Sequence, residues 1–371
     1  MKLAALFASL LALSILPARG AEVATPNDTA RFLAGLPPAT DSPLAALARD
    51  ASWQDHANRF NAMFAQEDKT HLSQIRAFAK SYLPKPHDAM LYMFSGPDAL
   101  HALAFFPDAS TYVLSGLEPV GDVPQLTSLP RATVSHTLHG LETALNSLLT
   151  ISFFITKKMQ TELRPGPVFG TLPVIYVFLA RSGKTVQETT FVNLDGAGNE
   201  IAPNAPGAAK SAAQGVKIVF TSGEGSKPQT LYYFSTNLAN DGVKSSGFLA
   251  FCGKLGVADS FTKSASYLLH SGAFSTVRSF MLDHSGTILQ DDSGIPVSYF
   301  DRKKWQLQPI GRYVGPISIF ARNYQPQLAD LFRREHPIPI DFGIGYRWRT
   351  NESNLLLATR TPEQAADQKP N

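Results

Sequence analysis

The chain has one cysteine in 371 residues, which excludes an internal disulfide and leaves the fold to its apolar core. Cys252 follows Gly247-Phe248-Leu249-Ala250-Phe251, and these neighbours mark it as a small buried hydrophobe rather than a reactive thiol. Neither sign of charge is in clear excess: 33 Lys and Arg stand against 30 Asp and Glu. Without Lys2 and Arg19 the balance is 31 to 30. A nearly neutral surface has no general attraction for nucleic acid or anionic membrane. Long apolar runs are missing after the N-terminus. Leu145 to Ile155 is eleven residues, and Pro167 to Ala180 is interrupted by Pro167 and Pro173. A membrane span needs about 20 apolar residues, so both are expected in the core. Several chemical signatures are also missing: G-x-S-x-G, H-E-x-x-H and G-x-G-x-x-G do not occur. Ser260-x-x-Lys263 has no Lys-Thr-Gly downstream and is treated as coincidence.

What is present begins with an address. Lys2, the apolar run Leu3 to Leu16, Pro17 and the small residues around Arg19 form the pattern of a cleaved export signal over residues 1–20. The expectation is a soluble periplasmic or secreted protein with no membrane anchor after cleavage. Hydrophobic residues make up 44% and aromatics 10%, enough for a filled core. Residues 21–43 read as an irregular lead-in, 44–360 as one mixed domain and 361–371 as a disordered tail.

The hydrophobic period gives the elements. Trp53, Ala57, Phe60 and Phe64, then Leu72, Ile75, Phe78 and Tyr82, give an N-terminal pair of amphipathic helices. Leu91 to Phe94, a Pro97-led helix to Phe106, and Thr111 to Leu114 make a strand–helix–strand crossover, which requires parallel strands. Val134, Leu138, Leu141, Leu145 and Leu148 mark a long helix that becomes apolar all round past Thr150. Val174–Ala180 with Thr185–Leu194, and Val216–Thr221 with Thr230–Phe234, read as antiparallel hairpins. Residues 196–215 read as loop and Phe261–Leu282 as mostly helix. Strands are expected at 287–290, 296–300, 342–346 and 355–358, and a helix near 327–334. The fold class is therefore α/β: a mixed sheet with at least one parallel crossover, antiparallel hairpins and N-terminal helices.

Polar residues at the strand ends supply the candidate site. Ser95-Gly96-Pro97-Asp98 follows the first crossover strand, and Glu118 follows the second, 22 residues after Gly96. This corner resembles the first two motifs of S-adenosylmethionine-dependent methyltransferases, within the wider group of Rossmann-like folds. The resemblance covers about thirty residues. It implies nucleotide or S-adenosylmethionine binding, with Glu118 taking ribose hydroxyls. Two departures stand out: the turn has one glycine, and Asp98 places a carboxylate where a phosphate would sit. Asp291-Asp292 offers two carboxylates for a hard cation or for acid–base work, or forms a hairpin turn with Ser293-Gly294. His136, His139 and Glu142 share a helix, with both histidines opposite its apolar stripe and Glu142 turned back toward it. Lys263, Tyr267 and His270 would share a helical face. Phe342, Ile344, Tyr346 and Trp348 alternate as one face of a strand, and C-terminal aromatics with Arg312, Arg347 and Arg349 could stack on a planar ligand.

The functional expectation is a hydrolase-type enzyme with Ser95, Asp98, Glu118, Asp291 and Asp292 at its strand ends. The alternative is a non-catalytic protein that binds a small molecule or an envelope partner. A Rossmann-like nucleotide binder ranks third. No specific cofactor or oligomeric state follows from the residues.

Overall fold

The computed structural model describes residues 23–123, 125–151, 170–206, 208 and 213–361. The expected signal, the all-round apolar end of the long helix past residue 151, and the polar tail beyond residue 361 lie outside them. The frame is a mixed sheet of ten strands in the order β4-β3-β5-β6-β2-β1-β7-β8-β10-β9. In chain order these are β1 (Ala89–Tyr92), β2 (Thr111–Gly116), β3 (Thr185–Leu194), β4 (Glu200–Ile201), β5 (Ala213–Thr221), β6 (Gln229–Thr236), β7 (Ala258–Thr262), β8 (Ser285–Gln290), β9 (Trp305–Gly311) and β10 (Asn354–Arg360).

The centre of the sheet is parallel. β6 pairs with β2, β2 with β1, β1 with β7 and β7 with β8, all in one direction. Counted along the chain, these five strands lie in the order 3-2-1-4-5, the arrangement of doubly wound nucleotide-binding sheets. β1 is the switch point, because the chain leaves it toward β2 and later returns to its other side as β7. Antiparallel pairs extend both edges: β5 and β3 beside β6, and β10 then β9 beside β8.

Each central strand is buried on both faces, so its residues alternate between two cores. Met90, Tyr92, Tyr112, Leu114 and Phe261 enter one core; Leu91, Met93, Val113, Phe234 and Ile288 enter the other. The first core is covered by α1 (Pro26–Leu33), α2 (Ala51–Glu67), α3 (Ser73–Tyr82), α4 (Ala99–Phe105), α5 (Arg131–Ile151) and α6 (Leu172–Arg181). The second is covered by α8 (Phe248–Lys254), which follows the short α7 (Asn240–Val243), and by α9 (Ser275–His284) and α10 (Pro326–Arg334). The crossover through α4 runs on the first face. The connections from β6 to β7 and from β7 to β8 run on the second, as a doubly wound sheet requires.

Five expectations are corrected. The lead-in contains α1, which starts at Pro26 and is capped by Thr25 Oγ1, accepting from Asp28 N at 3.0 Å. Residues 174–180 are helix rather than strand. Val174, Ile175 and Val177 favour strands locally, but a segment sealed on every side needs no amphipathic period and can bury as a helix. Phe261–Leu282 is not mostly helix: it opens inside the strand Ala258–Thr262, passes through two 3₁₀ turns and becomes helix only at Ser275. The polar residues of that strand hide it, yet two of them are paired: Asp259 accepts from His87 N at 2.8 Å and pairs with His87 Nδ1 at 2.7 Å, and Ser260 meets the Ser285 hydroxyl at 2.7 Å. Residues 297–299 form a 3₁₀ turn, and 342–348 form a loop with a single bridge from Ile344 to Arg347. β9, which carries Pro309, and the β10 pairing it makes were missed.

Other readings stand. α2 and α3 run on through one π turn at Asp68–Leu72. Glu142 turns inward to His56 Nδ1 at 2.7 Å and Arg59 Nε at 2.9 Å, while His139 is exposed. Cys252 is buried, and burial pushes its thiol pKa up.

Phe261 joins the switch strand to its cover, with ring centroids 4.6 Å from Tyr92 and 5.0 Å from Phe105. Phe261→Ala is expected to cost about 3–5 kcal/mol of unfolding free energy in denaturant titration. A loss below about 1 kcal/mol would show that these rings do not hold the centre of the sheet.

Candidate functional site

The carboxyl ends of β1, β2, β6 and β7 open into one cavity of about 610 Å³. This is the crevice where doubly wound sheets bind ligands, and its volume suits a small molecule. Turn residues after β1 (Phe94, Ser95, Gly96, Asp98), β2 (Leu117, Glu118) and β7 (Lys263 to Ser266) form its base and near walls. Ile317, Ile319, Phe320 and Tyr346 come from the C-terminal loops and form the facing wall.

Asp98 sits at the N-terminus of α4 and caps it, accepting from His101 N at 3.3 Å. Its carboxylate also accepts from Tyr92 Oη at 2.9 Å, meets His101 Nδ1 at 2.9 Å and pairs with Lys263 Nζ at 3.1 Å. The side chains of Asp98 and Lys263 are each 2% exposed. Burial raises the Asp98 carboxyl pKa, but His101 and Lys263 together outweigh it and hold the group well below the usual carboxylate range. The pair ties the turn after β1 to the end of β7.

Glu118 is buried, and its carboxylate folds back over the two glycines of the corner. A Cβ on Gly116 would lie 2.4 Å from Glu118 Oε2 and 3.1 Å from Gly96 Cα. Gly96 itself has φ +54°, a left-handed conformation that favours glycine. Tyr233 Oη donates to the Glu118 carbonyl oxygen at 2.8 Å. Ser95 is committed to the backbone: its hydroxyl faces Gly96 O at 2.8 Å and Ser115 O at 3.2 Å, and accepts from Ser115 N at 3.0 Å. No histidine or carboxylate bonds to it among the described residues.

Asp291 and Asp292 lie behind the cavity wall rather than in it. They hold the segment after β7, where Ser264, Ser266 and Tyr267 have φ of 51°, 51° and 56°. Ser264 N donates to Asp291 Oδ2 at 2.8 Å, Ala265 N to Ser293 Oγ at 2.8 Å, Ser266 N to Tyr346 Oη at 3.1 Å, and Tyr267 Oη to Asp292 Oδ2 at 2.8 Å. Every residue of the segment is therefore anchored. Phe94 at φ 61° is the other non-glycine residue in this region of conformation space among the described residues. All four line the cavity or adjoin its lining, and such strain gathers at functional sites where surrounding contacts over-determine it. The hydroxyl of Ser264 is buried without a hydrogen-bond partner among the described residues.

The five expected residues thus divide. Asp98 and Glu118 both line the cavity, Ser95 shapes its turn, and Asp291 and Asp292 anchor a wall. The expected helical face of Lys263, Tyr267 and His270 does not form, because the chain is strand, then left-handed loop, then 3₁₀ turn. Lys263 reaches Asp98 only because β7 is a strand beside β1. Of the C-terminal aromatics, Tyr346 lines the cavity, whereas Trp305 is core. Phe320 was missed, although a glycine–proline turn followed by Ile-Ser-Ile-Phe is an apolar segment with no period of its own. No three His, Cys, Asp or Glu side chains gather as metal ligands among the described residues, and no described helix is long and apolar enough to cross a membrane. No known protein-family model matches the chain, and no curated protein or solved structure is significantly similar to it.

Two results are expected. Asp98→Asn or Lys263→Met alone strands a buried charge and costs about 3–5 kcal/mol, while the double variant loses less than the sum in denaturant titration. Additive losses would show that the two side chains are not coupled. Asp292 has its pKa raised from 3.8 to about 7, first by burial and then by Asp291. A carboxyl with a raised folded value stabilises the fold at low pH and loses that contribution as pH climbs from about 4 through about 7. Stability measured against pH should therefore fall less across this window in Asp292→Asn than in the unaltered protein; equal slopes would contradict the shift.

Proposed function

We propose that the protein binds a neutral nucleoside-type molecule in the switch-point cavity. The observation that carries this reading is the buried Glu118 carboxylate, folded over Gly96 and Gly116 at the ends of β1 and β2. An acceptor-only group there is suited to the paired hydroxyls of a ribose. The strand order supports the same reading, since it extends the methyltransferase-like resemblance from one corner to the five central strands. The walls fit the rest of such a ligand: Phe94, Leu238 and Phe320 offer apolar surface to a planar base. Asp98 selects against a phosphate, because its carboxylate already occupies the N-terminus of α4. The apolar segment at residues 3–16 supports export, so the ligand is taken to be one met outside the cytoplasm.

The hydrolase reading has less support. Ser95 has no base beside it among the described residues, and Asp291 and Asp292 lie outside the cavity lining, bonded to the loop they hold. A nucleotide-type cofactor with a pyrophosphate has less still, for want of a glycine-rich turn.

Calorimetry with adenosine is the test. Adenosine is expected to bind, adenosine 5′-monophosphate at least tenfold more weakly, and Glu118→Gln to lose about tenfold in adenosine affinity. No binding of adenosine at millimolar concentration, or equal binding by Glu118→Gln, would overturn the reading.

A further inference from the structure

Three charged side chains lie deep in the cavity, and two aliphatic ones stand at its rim beside the exposed Asn237 and Ser266. Asp98, Glu118 and Lys263 line it and are almost fully buried. Leu117 and Ile319 line the same cavity, yet they are 62% and 76% exposed. A single exposed aliphatic residue is ordinary on any surface. Two on the rim of one cavity, 202 residues apart in the chain, form a different arrangement. Leu117 directly follows β2, and Ile319 belongs to the 3₁₀ segment Ser318–Asn323. Phe320 continues the apolar surface inward, packing on Tyr267 and Tyr346 with ring centroids 5.1 Å from each. Apolar area of this kind gains free energy when a ligand removes it from water.

A site for a wholly polar nucleoside would gain nothing from such a rim. The geometry points to an amphiphilic ligand: a hydroxylated head held at the strand ends near Glu118, with an aliphatic arm that leaves the cavity over Leu117 and Ile319. This rests on the proposed head-group reading for its polar half only. The ion pair of Asp98 and Lys263 keeps the deep end polar and so fixes which end of the ligand enters.

The probes are two matched pairs: adenosine with its octyl derivatives, substituted on the base or at the 5′ position, and glucose with octyl glucoside below its micelle-forming concentration. Dissociation constants are measured by calorimetry for the full protein, for Leu117→Ser and Ile319→Ser, and for the double variant; both positions are exposed, so folding is not at stake. The expected result is at least a tenfold gain in affinity from the octyl chain in one pair. That gain should fall to within about twofold of none when both positions are serine. No gain in either pair, or a gain that survives both substitutions, overturns the inference. If adenosine fails while octyl glucoside binds through the two rim residues, the nucleoside reading falls and the amphiphilic site stands. If the rim variants instead change only attachment to lipid vesicles, the rim is a membrane contact and the inference fails.

Discussion

The site depends on one buried ion pair. Asp98 leaves the end of β1 and Lys263 leaves the end of β7, and their contact at 3.1 Å closes the turn on one side of the switch strand. Two charges this deeply buried are tolerated only because the remaining capacity of the carboxylate is filled, by Tyr92, His101 and the first turn of α4. The consequence is geometric. Asp98 is committed to these partners, and Glu118 is left as the carboxylate that folds over the paired glycines. The same pair sets the polarity of the deep end against the aliphatic rim.

The strained loop after β7 is the second constraint. A run with three left-handed non-glycine residues would be costly in isolation. Here Asp291, Ser293 and Tyr346 accept from the backbone N–H groups of Ser264, Ala265 and Ser266, Asp292 accepts from Tyr267 Oη, and Asp291 N in turn donates to Thr262 O at 3.0 Å. Acidic residues that look reactive in sequence are thus scaffolding, and the wall they hold is what a ligand would meet. Their shared burial raises both carboxyl pKa values, which makes this wall sensitive to pH.

Much of the centre was legible in the sequence. The β1–α4–β2 crossover was marked by a change of hydrophobic period and by the turn Ser95-Gly96-Pro97-Asp98, and the β5–β6 hairpin by its glycine-rich turn. Glu118 stood out by its distance from Gly96. The rest was hidden for physical reasons. β7 reads as polar because Asp259, Ser260 and Thr262 are buried in a parallel strand; for Asp259 and Ser260 a partner on a neighbouring element replaces side-chain hydrophobicity as the condition for burial. α6 reads as strand because Val and Ile carry strand preference, while its enclosure removes the helical period that would have identified it. Since Lys263 and the strained loop follow β7, misreading that strand concealed the partner of Asp98 and the role of Asp291 and Asp292 together.

Crystals soaked with adenosine give the most direct test of the central claim, that the switch-point crevice is a ligand site organised by Glu118. The account predicts difference density beside Gly96 and Gly116, with two ribose hydroxyls within hydrogen-bond distance of the Glu118 carboxylate and the base against the apolar wall. Density elsewhere on the molecule with the crevice empty, or a ligand in the crevice that leaves Glu118 untouched, would contradict it.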